Sequence, residues 1–172
     1  MFELILLFTL LCLLSMIVYR SVEIGISPTP SSLTAVKTIS KITQKSDNLT
    51  IIELGSGFGF LALYLGHHNK SKKIIAYEIS YIPYLISLFL QKILQVKNIS
   101  FRNENFLELP FQENITYVCY LFPQAMKDLD IKILEENIEL SLLVSSTFAL
   151  SGLKAKNICY LKDLYKTPIY TY

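Results

Sequence analysis

Charge is scarce in this sequence. Only 17% of its 172 residues are charged, compared with about 25% in an average soluble protein, and 52% are hydrophobic. This apolar fraction is higher than an ordinary soluble domain of this length requires for its core. The composition therefore predicts a membrane segment beside one modest domain.

Charged residues are almost absent near the N-terminus. The run Phe2–Tyr19 reads FELILLFTLLCLLSMIVY, and Glu3 is its only charge. As a helix it would be slightly short for a bilayer, yet close enough to span one. A cleaved signal peptide is the alternative, but the run lacks a basic start and a small-residue cleavage site. We expect an uncleaved transmembrane anchor over 1–20, a proline-containing segment with a helix over 21–46, and one domain over 47–172.

Basic residues are missing before Arg20, whereas Arg20, Lys37 and Lys41 follow the apolar run. The gap argues against a mitochondrial transit peptide, which is rich in arginine. The positive-inside rule then places the domain on the cytoplasmic side of the membrane. We therefore expect a single-pass protein of a bacterial inner membrane.

Cysteine is rare as well. Cys12, Cys119 and Cys159 are scattered, odd in number and without metal-ligand spacing, so they are interpreted as reduced packing residues. The adjacent His67 and His68 have no further ligands nearby, and no metal site is expected. The net charge of +2 is too small to indicate a nucleic-acid partner.

Strand-like and helical patterns alternate along the domain. Leu33, Val36, Ile39 and Ile42 predict a helix over 32–45. The apolar runs LTIIEL, KKIIAYEIS, NISFRNENF and ITYVCYLF predict strands, and FLALYLG, PYLISLFLQKILQVK and QAMKDLDIKILEENIEL predict helices, the first of them ending at Gly66. Three more strand-like runs, SLLVSSTFALS, KNICYLKDL and TPIYTY, close the chain without room for helices. This order predicts an α/β fold with a mostly parallel sheet and a C-terminal antiparallel hairpin.

A glycine-rich turn follows the first strand, in ELGSGFG. A dinucleotide-binding turn would place its third glycine at Phe60, whereas here the glycines are Gly55, Gly57 and Gly59. The strand also carries an acid, Glu53, which would repel a phosphate and attract a cation. The amino and sulfonium groups of S-adenosylmethionine are such cations, so the turn favours this cofactor over NAD.

The second strand ends in another acid, Glu78, within YEIS. A carboxylate at this position accepts both hydroxyls of a ribose. Because NAD and S-adenosylmethionine both contain ribose, Glu78 alone does not separate them. The glycine spacing and Glu53 make that distinction.

These motifs resemble those of the class I, seven-strand S-adenosylmethionine-dependent methyltransferases. ELGSGFG resembles the first motif, YEIS the second and NISFRNENF the third. The resemblance implies a Rossmann-like sheet and a cofactor site formed by Glu53, Gly55, Ser56, Gly57, Gly59, Glu78, Ile79, Asn105 and Phe106. Two residues depart from the family pattern: Asn105 stands where an Asp is usual, and Phe58 stands where an acid usually follows the second glycine.

The overall layout resembles the membrane-anchored protein-lysine methyltransferases, which include the enzymes for the ATP synthase c-subunit and the adenine nucleotide translocase. An apolar span, an SPTP segment and a helix precede the first motif, and YVCYLFPQAMKDLDIKIL resembles the family's fourth motif. The resemblance implies lysine of a membrane-associated protein as acceptor, with Phe122 and Pro123 as walls of the acceptor channel. Pro28, Thr29 and Pro30 form either a lid or a plain linker.

The absence of NPPY or DPPY argues against methylation of adenine or glutamine. Three alternatives to the proposed lysine methyltransferase remain. The first is an enzyme that methylates a small lipophilic molecule, such as a quinone or lipid, and the second is a non-catalytic membrane scaffold. The third is a nucleotide-dependent oxidoreductase, which the glycine spacing disfavours. The helix YIPYLISLFLQKIL is apolar on nearly every face, so it is either enclosed or in contact with lipid.

Overall fold

The computed structural model describes residues 32–172, and the predicted anchor and SPTP segment lie outside this range. Seven strands, four α-helices and one 3₁₀ turn form the described part. In chain order they are α1 (Leu33–Gln44), β1 (Thr50–Leu54), α2 (Phe60–His68), β2 (Lys73–Tyr77), α3 (Tyr81–Leu94), β3 (Ile99–Arg102), the 3₁₀ turn (Phe106–Glu108), β4 (Ile115–Cys119), α4 (Pro123–Glu136), β5 (Leu142–Ser146), β6 (Asn157–Tyr160) and β7 (Pro168–Thr171). No helix within residues 32–172 has the length and apolar character to cross a membrane.

All seven strands belong to one sheet, in the order β3-β2-β1-β4-β5-β7-β6. The five strands from β3 to β5 pair in parallel, with Glu53 of β1 opposite Ala76 of β2 and Val118 of β4. Strand β7 is antiparallel to both β5 and β6. The predicted α/β class, the parallel sheet and the antiparallel C-terminal hairpin are confirmed.

Helices cover both faces of the sheet, because the central strands are apolar on both sides. Helices α1, α2 and α3 pack on one face, in a core that includes Ile39, Ile51, Leu65 and Ile74. Helix α4 packs on the other face, in a core that includes Leu54, Tyr117, Leu129 and Leu143. Because α1 shares a core with the sheet, residues from 33 onward belong to one packed unit.

Several helix boundaries differ from the sequence prediction by a few residues, and two of the differences have a clear physical reason. Helix α2 continues past Gly66 to His68, because Gly66 is a packing residue: a β-carbon there would lie 2.6 Å from the side chain of Ile99. Helix α3 begins at Tyr81, so Pro83 stands inside its first turn, where no intrahelical N–H bond is required. At the start of α1, the hydroxyl of Ser32 accepts the amide of Ala35 at 3.2 Å and forms the N-cap.

Lys72 joins the end of α1 to the start of β2. Its Nζ donates to the carbonyl oxygens of Thr43 at 2.9 Å and Asn48 at 2.8 Å, and also to that of Ser46. Thr43 lies in the last turn of α1, whereas Ser46 and Asn48 belong to the segment between α1 and β1, so the ammonium group holds this connection in place. Lys72 is accordingly buried, which is rare for an unpaired lysine.

Helices α1 and α2 end side by side. The side-chain amide of Gln44, the last residue of α1, donates to the carbonyl of His68, the last residue of α2, at 3.3 Å. This contact lies at the amino edge of the sheet, where β1 and β2 begin. Both helices therefore start toward the carboxyl edge, and the chain enters the fold at that edge.

Candidate functional site

The strand order reverses between β1 and β4, because β2 and β3 lie on one side of β1 while β4 and β5 lie on the other. In a parallel α/β sheet, the crevice outside the carboxyl ends of two such strands is the usual place for a ligand. The glycine-rich turn at 55–59 leaves β1 at this crevice and leads directly into α2. The fold thus brings the sequence motif to the position where a binding site is expected.

Glu78 holds the glycine turn in place. Its Oε2 accepts the amide of Gly57 at 2.7 Å, and its Oε1 accepts the amide of Ser80 at 2.7 Å. The turn is further fixed because the amide of Ser56 donates to the carbonyl of Tyr77 at 2.8 Å. A carboxylate offers about four acceptor positions, so each oxygen of Glu78 keeps a second lone pair for a ligand hydroxyl.

Gly57 faces open space. Its φ of +52° is in the left-handed region, and a β-carbon built there would meet nothing within 4 Å. A glycine is therefore needed here for the backbone conformation and for the free volume over the turn, and packing does not require it. A turn of this kind lets a ligand approach the backbone closely.

Two polar atoms beneath the turn have no hydrogen-bond partner among residues 32–172. They are Oε2 of Glu53 and Oγ of Ser56, both buried. Burial raises the pKa of Glu53 well above its ordinary value of 4.5, and the nearby charge of Glu78 raises the pKa further. A buried carboxylate oxygen without a partner is costly, and a cationic ligand would compensate for it.

These groups fit the cofactor expected from the sequence. The unpartnered oxygen of Glu53 suits a cation, the lone pairs of Glu78 suit ribose hydroxyls, and the open space over Gly57 leaves room for the cofactor chain. The residues that would hold S-adenosylmethionine are therefore present with the required chemistry.

Ile79, Asn105 and Phe106 lie at the same carboxyl edge as Glu78, after β2 and β3. The side chain of Ile79 is 63% exposed and Phe106 is half-buried, so both offer apolar surface for a flat ring. Asn105 caps the 3₁₀ turn: its Oδ1 accepts the amide of Leu107 at 3.1 Å and its Nδ2 donates to Glu108 at 2.9 Å. The structure places all three at the carboxyl edge of the sheet, and their contact with adenine remains a prediction.

Asn103 is a further residue at the carboxyl edge, and the sequence motifs did not predict its role. Its Nδ2 donates to the carbonyls of Glu78 at 2.7 Å and Ile79 at 3.0 Å, which ties the end of β3 to the segment after β2. Asn103 thus positions Glu78 through the backbone. An asparagine directly after a strand at the carboxyl edge was the available signal, but its partners depend on the pairing of β2 with β3.

The other wall of the crevice is the turn after β4. Leu121 packs so closely on Gly55 that a β-carbon there would lie 2.7 Å from its Cδ2. Phe122 is half-buried and Pro123 is exposed as the first residue of α4. The two predicted acceptor-channel residues therefore adjoin the glycine turn, and their role remains a prediction.

The end of β5 contains a strained turn that the sequence did not reveal. The amide of Phe148 donates to the carbonyl of Ser146 at 2.9 Å, around Thr147 with a φ of +72°. This is a three-residue turn of a rare type, and a β-branched residue adopts it only at a cost of about 1–3 kcal/mol. Such strain is concentrated at functional sites, and β5 is the direct neighbour of β4 at the crevice.

No protein-family model matches this sequence, and no curated protein matches it either. The fold, in contrast, is similar to many solved structures. An RNA methyltransferase from Salinibacter ruber, in complex with S-adenosyl-L-homocysteine, superposes with a TM-score of 0.71 at 19% identity, over 84% of this chain and 92% of that one.

Two further solved structures of methyltransferases have a similar fold. A SAM-dependent methyltransferase from Aquifex aeolicus has a TM-score of 0.63 at 16% identity, over 84% of this chain and 93% of that one. A precorrin-6y C5,15-methyltransferase from Geobacter metallireducens has a TM-score of 0.63 at 10% identity, over 83% and 88% of the two chains. The described chain thus has the seven-strand fold of class I methyltransferases.

Proposed function

We propose that this protein is an S-adenosylmethionine-dependent methyltransferase. The observation that carries the proposal is the bond from the amide of Gly57 to the carboxylate of Glu78, which joins the two cofactor motifs at the point where the strand order reverses. The Salinibacter ruber neighbour was crystallised with the demethylated form of this cofactor. When bound, S-adenosylmethionine supplies the methyl group that is transferred.

The residues of this chain have distinct tasks in that reaction. Glu78 binds the ribose hydroxyls, and Glu53 offers a negative charge to the cationic end of the cofactor. Ile79 and Phe106 cover the adenine ring, and Asn105 contacts its amine. Methyl transfer needs alignment more than covalent help, so a rigid crevice supplies much of the rate.

We propose lysine of a membrane-associated protein as the acceptor. An amine must be neutral to attack a methyl group, and an apolar surrounding favours the neutral form. Leu121, Phe122 and Pro123 provide such a wall beside the glycine turn. The net charge of +2 offers little attraction to a phosphate backbone, which is why we prefer a protein acceptor to a nucleic acid.

The proposal includes the location. The apolar run Phe2–Tyr19 would anchor the protein in a bacterial inner membrane with the domain on the cytoplasmic side. Such an anchor keeps the crevice near membrane proteins. A lipophilic small molecule would be available at the same place, and the experiment below distinguishes the two acceptors.

The test of the cofactor is calorimetric titration of the detergent-solubilised full chain with S-adenosylmethionine, with NAD as control. We expect binding of S-adenosylmethionine alone. Gly57→Arg fills the open space and should abolish it, and Glu78→Gln should weaken it about 10- to 100-fold, since a charge-assisted hydrogen bond contributes about 1.5–3 kcal/mol. Glu113→Gln, an exposed acid before β4, is the matched control and should bind normally.

Failure of wild type to bind either compound would favour the non-catalytic scaffold. If binding is found, membranes incubated with the protein and methyl-labelled cofactor identify the acceptor. Label recovered as methyl-lysine after acid hydrolysis supports the proposed acceptor, whereas label extracted into organic solvent supports a lipid or quinone.

A further inference from the structure

Helix α3 exposes large apolar side chains: Tyr81 is 62% exposed, Phe89 63% and Ile93 57%. Its inner side packs on the core through apolar residues such as Leu88, together with the fully buried Ser87 and with Gln91, which donates to the carbonyl of Ile99 at 2.8 Å. An ordinary surface helix carries polar residues on its outer side.

The exposed apolar residues form a continuous stripe. Tyr81, Leu85, Phe89 and Ile93 recur every fourth residue, so they lie on one side of the helix. The stripe begins at Tyr81, three residues after Glu78 of the cofactor crevice. A contiguous exposed apolar surface of this kind marks a site of interaction. We call these four residues the α3 stripe.

Lysines collect at the C-terminal end of α3. Residues 79–103 contain no acid, and their charged residues are Lys92, Lys97 and Arg102, of which Arg102 lies 3.6 Å from Glu104. Lys70 precedes β2, Lys73 is its first residue, and both are exposed on the side of Lys97. An apolar stripe with a basic end is the pattern of a helix that lies in the interface of an anionic bilayer.

The position of the chain entry agrees with a bilayer as the partner. Helix α1 starts toward the carboxyl edge, and so does α3, whose first residue belongs to the α3 stripe. The chain outside the described range ends at this edge and contains the apolar run Phe2–Tyr19. The start of the α3 stripe and the entry of the chain thus share one edge, and the lysines at the other end of α3 reach the same bilayer when the helix lies along it.

We propose that the α3 stripe docks on an anionic lipid bilayer and places the crevice at the membrane surface. The inference extends the proposed membrane-directed function, but it does not depend on cofactor binding. A membrane-embedded acceptor would then reach the crevice without leaving the bilayer boundary.

The test uses the absence of tryptophan from the sequence. Phe89→Trp in the full chain introduces a single tryptophan on the α3 stripe. Leu134→Trp introduces one at a 55% exposed apolar position of α4, on the opposite face of the sheet. Both proteins are reconstituted into phosphatidylcholine–phosphatidylglycerol vesicles with brominated acyl chains. We expect emission from position 89 to shift to shorter wavelength and to be quenched several-fold more than emission from position 134. Ile93→Trp is a second reporter on the stripe.

Three results would overturn the proposal. Equal quenching at positions 89 and 134 would show that the α3 stripe does not contact lipid. A shift to shorter wavelength without quenching would show that protein covers it, either residues 1–31 or a second copy. Unchanged quenching in vesicles without phosphatidylglycerol would remove the role of anionic headgroups. Titration of the same variants with S-adenosylmethionine keeps a failure of docking separate from a failure of the proposed activity.

Discussion

Gly59 lies against the ring of Phe101 so closely that a β-carbon on it would come within 2.7 Å of Cε1. The same position would lie 2.8 Å from the Cβ of Ser87, so α2, β3 and α3 meet at this glycine. Gly57, only two residues earlier, has no neighbour within 4 Å of its β-position. Two glycines of one turn therefore have different tasks, one in packing and one in binding.

This difference predicts stability losses of different size for two alanine variants. Gly59→Ala should lower the free energy of unfolding by about 2–4 kcal/mol, from overpacking and from left-handed backbone strain at a φ of +78°. Gly57→Ala adds only the backbone strain and should lower it by about 1–2 kcal/mol. Urea denaturation followed by circular dichroism measures both values.

Cofactor titration of these two proteins completes the comparison. Gly57→Ala should bind S-adenosylmethionine at least tenfold more weakly than wild type, because its methyl group enters the space over the turn. A Gly57→Ala protein with full affinity, or a Gly59→Ala protein as stable as wild type, would contradict the assignment.

Glu53 should make the stability of the cofactor-free protein depend on pH. Burial raises the pKa of Glu53 in the folded protein, so its contribution to stability is complete below the unfolded value near 4.5 and is lost as the pH rises through the folded pKa. Glu53→Gln cannot ionise and does not suffer this loss. The free energy of unfolding of Glu53→Gln minus that of wild type should therefore increase as the pH rises above 4.5.

Urea denaturation at a series of pH values measures this difference. Glu139→Gln, at an exposed position before β5, is the control and should give a nearly constant difference. A constant difference for Glu53→Gln as well would mean that Glu53 is not desolvated in the folded protein.

Lys72 and Lys73 form a natural matched pair. Lys72→Met removes a buried ammonium group that donates to one carbonyl in the last turn of α1 and to two in the segment after it, and it should lower the free energy of unfolding by about 2–3 kcal/mol. Lys73→Met changes an exposed neighbour and should alter it by less than about 0.5 kcal/mol. Chemical denaturation at neutral pH measures both variants, and equal values would contradict this role of Lys72.

The sequence predicted the fold because its local patterns agree with one another. Each of the seven strand-like runs is a strand, and the glycine turn lies between β1 and α2, as the sequence pattern predicted. Glu78 could be recognised because an acid at the end of a second strand has a defined place in a parallel sheet. Such features depend on spacing along the chain, which is readable without coordinates.

Features that depend on distant contacts could not be predicted. Gly66 was interpreted as a helix end, whereas its role is set by Ile99, more than thirty residues away. The hydrogen-bond partners of Asn103 and Lys72 depend on which strands pair and where a helix ends. The three-residue turn at Thr147 contains no glycine, so the sequence does not indicate its positive φ. The outward stripe of α3 was one of two open possibilities, because a helix that is apolar all round does not reveal which side meets the sheet.

The entry of the chain at the carboxyl edge limits the distance between the crevice and the apolar run Phe2–Tyr19. Thirteen peptide steps separate Tyr19 from Ser32, and a fully extended chain of this length spans no more than about 45 Å. The crevice opens at the same edge, so its distance from the end of the apolar run is limited by this short connection and by the width of the domain. If that run is held in a bilayer, the protein works within a shell a few nanometres deep, and an acceptor on a tall extramembrane domain lies beyond it.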